Sequence, residues 1–174
     1  MSTTTRTYHS SHELSITGFS HTQKDSYISL FRRIFCQSPW FESWSVYEVN
    51  RNLSNTMKHR SFLGFTAFLK NMPIGFITGY CLFDRFTLKC PFFIDQLFVD
   101  DRYQNMGVGK ALIDELMKQL QENKCLIILL LTQENSHAEH FYIKYGFKRL
   151  QTVFHVRGKV LLYYTQNVRK GGIF

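Results

Sequence analysis

Leu97-Phe98-Val99-Asp100-Asp101-Arg102-Tyr103-Gln104-Asn105-Met106-Gly107-Val108-Gly109-Lys110 is the stretch whose reading decides the fold. An apolar strand ends, the chain turns, and two glycines open an amphipathic helix. The first turn of any helix carries N–H groups without intrahelical partners and a partial positive charge of roughly half a unit. Gly107 and Gly109 have no side chains to keep a phosphate away from those donors, and Arg102 and Lys110 add charge nearby. A pyrophosphate suits such a corner, although Gly-x-Gly at a helix start also serves tight packing alone. The third glycine of a dinucleotide fingerprint is missing, as is the Gly-Lys-Ser/Thr of a nucleotide-binding P-loop.

Upstream, Leu14 to Gly18 reads as a strand. Ser20 with Gln23 forms a capping box for a helix to Phe35, with Tyr27, Leu30, Phe31 and Ile34 at helical spacing. Ser38-Pro39 breaks it, and Ser45 with Glu48 starts a second helix to Met57. Ser61 to Leu69 and Ile74 to Phe83 form a hairpin about Lys70-Asn71-Met72-Pro73, and Pro91 to Val99 is a third strand. Downstream, a helix runs from Gly107 to Asn123. Cys125 to Leu131 is apolar throughout, which predicts a strand covered on both faces. A helix from Ser136 to Tyr145 ends at Gly146, and strands at Phe147 to Phe154 and Lys159 to Gln166 finish the chain. The order β-α-α-β-β-β-α-β-α-β-β predicts one α/β (α+β) domain over residues 12–174, with helices flanking a mixed, mostly antiparallel sheet behind a frayed tail of residues 1–11.

The chain has 174 residues, 44% of them apolar and 20% charged, which fits one globular domain and argues against wholesale disorder. A net charge of +8, with no carboxylate side chain after Glu139, suits an anionic ligand: coenzyme phosphates or nucleic acid. Nucleic acid is the weaker candidate, since no RNP-like, helix-turn-helix or zinc signature accompanies the charge. Cys36, Cys81, Cys90 and Cys125 are widely spaced and read as reduced thiols of a cytoplasmic protein. The longest apolar run falls far short of the roughly 20 residues a membrane helix needs. His137 and His140 lack a nearby third ligand, so no metal is expected.

The second informative stretch is Asn135-Ser136-His137-Ala138-Glu139-His140-Phe141-Tyr142-Ile143-Lys144-Tyr145-Gly146-Phe147. Tyr142 follows Asn135 by nearly two helical turns, so the two could project from one side. A core tyrosine with a satisfied hydroxyl is the plain alternative. Gln104 to Gly109 and Asn135 to Phe147 together resemble the two hallmark motifs of the GNAT superfamily of N-acetyltransferases, in the same order and spacing. The first is Gln/Arg-x-x-Gly-x-Gly/Ala after the fourth strand, and the second is Asn-x-x-Ala-x-x-Phe/Leu-Tyr-x-Lys-x-Gly-Phe.

The resemblance implies a GNAT-like domain that moves an acetyl group from acetyl-CoA to the primary amine of a small molecule or peptide. It implies that the coenzyme pyrophosphate is held by Gln104, Asn105, Met106, Gly107, Val108, Gly109 and Lys110. The pantetheine arm would run along Leu97, Phe98 and Val99, Asn135 would orient coenzyme or water, and Tyr142 would be the general acid. Asp95 is the candidate base and acceptor contact: strand alternation puts it on a face with Phe93 and Leu97. Ile94-Asp95-Gln96-Leu97 also resembles the corresponding strand of some aminoglycoside 6′-N-acetyltransferases, while Phe93 stands where the superfamily often has Glu. Trp40 and Trp44 flank the segment where related enzymes build the acceptor wall. They could grip a cationic acceptor or staple the loop to the core. The competing functional reading is a non-catalytic acyl-CoA-binding regulatory domain, which would need neither Tyr142 nor Asn135. Strands at the C-terminus leave room for a homodimer.

Overall fold

Lys70 and Asn71 both take left-handed backbone angles (φ 48° and 63°), and this two-residue turn sets the register of the first hairpin. Leu69 pairs directly with Met72, so Met72 and Pro73 belong to the strand and not to a four-residue turn as the sequence suggested. Positive φ at both central residues matches the right-handed twist of the strands they join. A register shift between Ala67 and Phe68 sits opposite Pro73, where a missing N–H is tolerated. The computed structural model describes residues 14–37, 40–82, 91–123, 125, 127–156 and 159–168, with 151–156 and 159–161 described as backbone only. The tail expected over residues 1–11 and the break at Ser38-Pro39 lie outside them.

The chain divides by contacts into two units, Met1–Gly79 with Gln96–Leu116, and Tyr80–Asp95 with Met117–Phe174. The first holds β1 (Leu14–Gly18), α1 (Lys24–Phe35), α2 (Val46–Met57), β2 (Leu63–Leu69), most of β3 (Met72–Cys81), the end of β4 (Phe92–Val99) and the start of α3 (Val108–Glu122). A single 3-10 turn over His21–Gln23 precedes α1. The Gln23 side chain accepts from the Ser20 N–H at 3.0 Å, as the capping pattern required. Ser45 caps α2 in the same reciprocal way with Glu48.

The core of this unit is aromatic. Phe98 lies 4.9 Å from Tyr27 and 5.5 Å from Phe31, both edge-on, and Phe76 lies 5.3 Å from Tyr27. Edge-to-face rings of this kind contribute about 0.5–1.5 kcal/mol per pair beyond the area they bury. Gly75 lets three elements meet. A Cβ there would stand 3.2 Å from the Phe98 carbonyl oxygen, 3.2 Å from Val99 and 3.3 Å from Leu112.

The second unit holds β5 (Ile127–Gln133), α4 (His137–Tyr145), β6 (Lys148–Val156) and β7 (Lys159–Asn167), with the start of β4. The described strands form one seven-stranded sheet in the order β1-β2-β3-β4-β5-β7-β6, so the last hairpin folds back and places β7 beside β5. The β4–β5 pair is parallel, while β1–β2, β2–β3, β5–β7 and β6–β7 are antiparallel. Hydrogen bonds from Asp100 N–H to Ile74 and from Leu82 N–H to Pro91 show β3 and β4 running in opposite directions. The element order is the one read from the sequence, and the mixed α/β class stands.

β5 departs from expectation. It starts at Ile127, and only Ile128, Leu130 and Thr132 on one face are buried, while Ile127, Leu129, Leu131 and Gln133 on the other are half-buried. An unbroken apolar run does not by itself require two covered faces, because period-2 geometry still sorts it into sides.

Gly75→Ala should lower stability by about 1–3 kcal/mol, because two of the three close neighbours are β4 atoms and one is a backbone oxygen. Urea unfolding would show a lower midpoint at unchanged slope. An unaltered midpoint would mean that the contact relaxes freely.

Candidate active site

The strand-to-helix turn is built as its residue types demand. Asp100 ends β4, and Asp101–Tyr103 make a 3-10 turn. Asn105 and Gly107 take left-handed angles (φ 59° and 83°), where Asn and Gly are the residues with least strain. The helix proper begins at Val108, one residue later than expected, and Ala111 N–H to Gly107 C=O is its first-turn hydrogen bond at 2.9 Å. Gly109 is therefore a helical residue, and Gly107 carries the turn. Gln104 to Gly107 are all exposed. A Cβ built on Gly107 would meet no heavy atom within 4 Å. Open space thus lies against the start of a 15-residue helix, which is what a diphosphate needs there. The Gln104 amide donates to the Val99 carbonyl at 3.0 Å, tying the turn back to the strand end.

Sequence reasoning assigned Arg102 and Lys110 to the ligand's charge, but both are already paired. Lys110 bonds Asp114 at 2.7 Å. Arg102 bonds Asp100 at 2.8 Å, and Arg33 from α1 bonds the same carboxylate. Asp100 is 1% exposed. Burial alone would raise its pKa, but hydrogen bonds from Arg102 and the charge of Arg33 overcome that and hold the carboxyl well below the ordinary range. The helix terminus adds its own partial positive charge to that of these paired cations.

β4 pairs with β5 from Phe92↔Ile128 to Ile94↔Leu130, and among the described residues the ladder ends there. Phe98 and Val99 turn buried side chains inward, with Leu97 half-buried. Buried main-chain N–H and C=O groups need partners, so a strand end released from its neighbour is a place for a ligand to bond.

In the other unit, Asp95 is half-buried on β4. Tyr80 has its phenol pKa raised by burial first, then by the charges of Asp95 and Tyr163. The Tyr80 ring also meets Phe93 edge-on at 5.9 Å. The Asp95 charge thus acts on Tyr80 from the next strand, an association that sequence reading missed because the two lie on separate strands. Ser136 caps α4, and Asn135 sits just before it with φ 58° and an exposed side chain. The far end closes on Gly146 (φ 108°), with Gly146 N–H bonded to Ile143 and Phe147 N–H to Tyr142, the paired bonds of a Schellman cap. Tyr142 is 7% exposed, and burial pushes its phenol above the ordinary range. Its ring packs edge-on between Phe141 at 5.3 Å and Phe147 at 5.5 Å.

Trp40 and Trp44 are half-buried. Trp40 packs on Phe35 at 5.7 Å and Trp44 edge-on to Phe31 at 5.6 Å, while the Trp44 indole donates to Glu42 at 2.7 Å. These contacts staple the loop to the core. The exposed ring is Phe41, 74% accessible and held at φ 46°. It borders a cavity of ≈ 570 Å³ lined also by Arg32, Cys36, Glu42, Trp44 and Glu48.

A mixed sheet in which a strand leads through a left-handed glycine turn to an open helix terminus defines an α/β class with an anion-accepting corner. Within that class, the model of the acetyltransferase (GNAT) domain matches residues 61–149, just over half the chain, and the chain belongs to the GNAT family. The spermine/spermidine N(1)-acetyltransferase of Bacillus subtilis (strain 168) is 39% identical over 57 residues, covering 32% of this chain and 38% of that protein. The chain therefore spans well under half of this curated relative. Among solved structures, the ribosomal-protein-S18-alanine N-acetyltransferase of Escherichia coli superposes with TM-score 0.71 at 16% identity, covering 91% of this chain and 96% of that one. An aminoglycoside 6′-N-acetyltransferase complexed with coenzyme A gives TM-score 0.71 at 16% identity, covering 91% and 99%.

Gly107→Val should weaken acetyl-CoA binding at least about tenfold, or about 1.4 kcal/mol. The branched side chain would fill the open space and oppose the left-handed angle. Calorimetric affinity equal to that of the unsubstituted protein would remove the turn as the diphosphate site.

Proposed function

We propose that the protein is an acetyl-CoA-dependent N-acetyltransferase that passes the acetyl group to a primary amine by direct attack on the thioester. The observation that carries this reading is the open, left-handed Gly107 turn at the head of α3 in a chain of the GNAT family. The Bacillus relative, named for acetylating spermine and spermidine, supports an amine acceptor.

Acetyl-CoA supplies an electrophilic acyl carbon on a good leaving group. The main-chain N–H groups from Gln104 to Lys110 bind the diphosphate. Released backbone groups of Leu97, Phe98 and Val99 bond the pantetheine arm, and a main-chain N–H there polarises the thioester carbonyl, a contribution usually worth about 3 kcal/mol. Asn135 orients the coenzyme or a water.

An alkylammonium near pKa 10.4 must lose its proton before it can attack. Asp95 accepts that proton, directly or through water, while Tyr80 and Phe93 offer ring surface to the cation. As the C–N bond forms and the C–S bond breaks, the thiolate would take its proton from Tyr142, and the attacking nitrogen would return its second proton to the Tyr142 oxygen, directly or through water. A buried phenol whose pKa is raised stays protonated at neutral pH and so can donate to the thiolate. Trp40 and Trp44 act by fixing the loop that forms the acceptor wall.

A thiol-release screen of acetyl-CoA against polyamines, peptide N-termini and aminoglycosides tests the reaction, and coenzyme binding without thiol release from any amine would return the chain to the non-catalytic reading. Tyr142→Phe should lower kcat roughly 10²- to 10⁴-fold, with acetyl-CoA affinity nearly intact; full activity removes Tyr142 as the acid. Asp95→Asn should flatten the rising limb of the pH–rate profile, and a profile identical to that of the unsubstituted enzyme would retire Asp95 as the base.

A further inference from the structure

The buried acid of α4 has no role so far. Glu139 is 7% exposed, and both of its carboxylate oxygens are engaged. One accepts from the Asn135 N–H. The other accepts from the hydroxyl of Tyr164, which lies 1% exposed on β7. The backbone N–H of Glu139 completes the cap by donating to Ser136 Oγ at 3.1 Å, and Ser136 Oγ donates to the Gln133 carbonyl at 2.6 Å. In an ordinary capping box the third helical residue reaches the N–H of the cap itself. Here it reaches one residue further, to the left-handed Asn135, and is also bonded to the sheet.

The phenol of Tyr164 is pushed up to about 12 by burial, then by the hydrogen bond and charge of Glu139, against the charge of Arg149. It is therefore the donor in the bond. Arg149 itself pairs with Glu134 at 3.1 Å.

α4 has nine residues, too few to be stable or fixed in orientation by itself. Tyr142 follows Glu139 by three residues, so both lie on the same side of the helix and both are buried. We propose that Glu139 is a positioning residue: its two bonds, to Asn135 and to Tyr164, set the rotation of α4 and so aim the Tyr142 hydroxyl. This rests on Tyr142 being the acid. Misplacement of a reacting group by about 1 Å can cost on the order of a hundredfold in rate, so a helix free to roll would slow turnover without losing its fold.

A double-mutant cycle on kcat tests the proposal, using thiol release from acetyl-CoA with the fastest acceptor of the amine screen, water included. Glu139→Gln keeps the shape but can accept only one of the two bonds. It should lower kcat roughly 10- to 100-fold in the unsubstituted enzyme. In a Tyr142→Phe background it should lower kcat by less than about twofold, because residues acting through one group are not additive. Equal losses in both backgrounds would make Glu139 merely structural and overturn the proposal. If Glu139→Gln does not fold, Tyr164→Phe carries the same test with one bond removed, and a loss that persists undiminished in the Tyr142→Phe background sinks the idea. Full activity of Tyr142→Phe alone would instead bring down the acid assignment on which this inference stands.

Discussion

A helix that follows a buried strand across one short turn leaves its first N–H groups unsatisfied, and the organisation of the first unit follows from how the chain manages this. The turn after β4 has to be tight enough to aim α3 and open enough to leave those groups accessible. Asn105 and Gly107 meet the first requirement with left-handed angles. The bare Gly107 and exposed Gln104 and Met106 meet the second. Around them the structure is rigid. Asp100 is clamped by two arginines and hydrogen bonded through its N–H to β3. One face of α3, carrying Val108, Leu112, Ile113, Leu116 and Leu120, is buried. Asp100 is buried and its carboxylate is taken up by both arginines, so it is better read as a fixture of the turn than as a ligand for anything entering it.

Much of this was legible in the residues. Helix caps at Ser20 and Ser45, the left-handed stop at Gly146 and the strand-turn-helix at Gly107 all depend on local chemistry within a few positions, and local chemistry is what a sequence displays. The errors came where distant residues decide the outcome. Lys70-Asn71-Met72-Pro73 is a turn sequence throughout, yet the irregularity that skips Ile74 on β3 lets Pro73 stay in the ladder opposite Phe68. The apolar run of β5 looked buried all round, and only the packed sheet shows which side is closed.

The candidate site follows the same division. Gly107 and Tyr142 carry motif signals and could be named at once. The pairing of Arg102 and Lys110 with carboxylates could not, since the Asp100 clamp brings in Arg33 from a helix far earlier in the chain. Asp95 and Tyr80 influence one another from different strands, and no spacing rule connects them. Glu139 was within reach: Ser136 with Glu139 has the same Ser-x-x-Glu spacing as Ser45 with Glu48. What no pattern could supply was Tyr164 on the opposite end of its carboxylate. The two tryptophans invite a ligand role on chemistry alone, and packing against Phe31 and Phe35 gives them a mechanical one.

The fold-back of the last hairpin makes β6 the outermost strand at its end of the sheet. A border strand shows a free row of main-chain donors and acceptors, an open invitation to another copy of itself. Its opening residues, Lys148 and Arg149, are both exposed. A lysine at the opening of such a border makes pairing with a second copy costlier there, while the Arg149 charge is already met by Glu134.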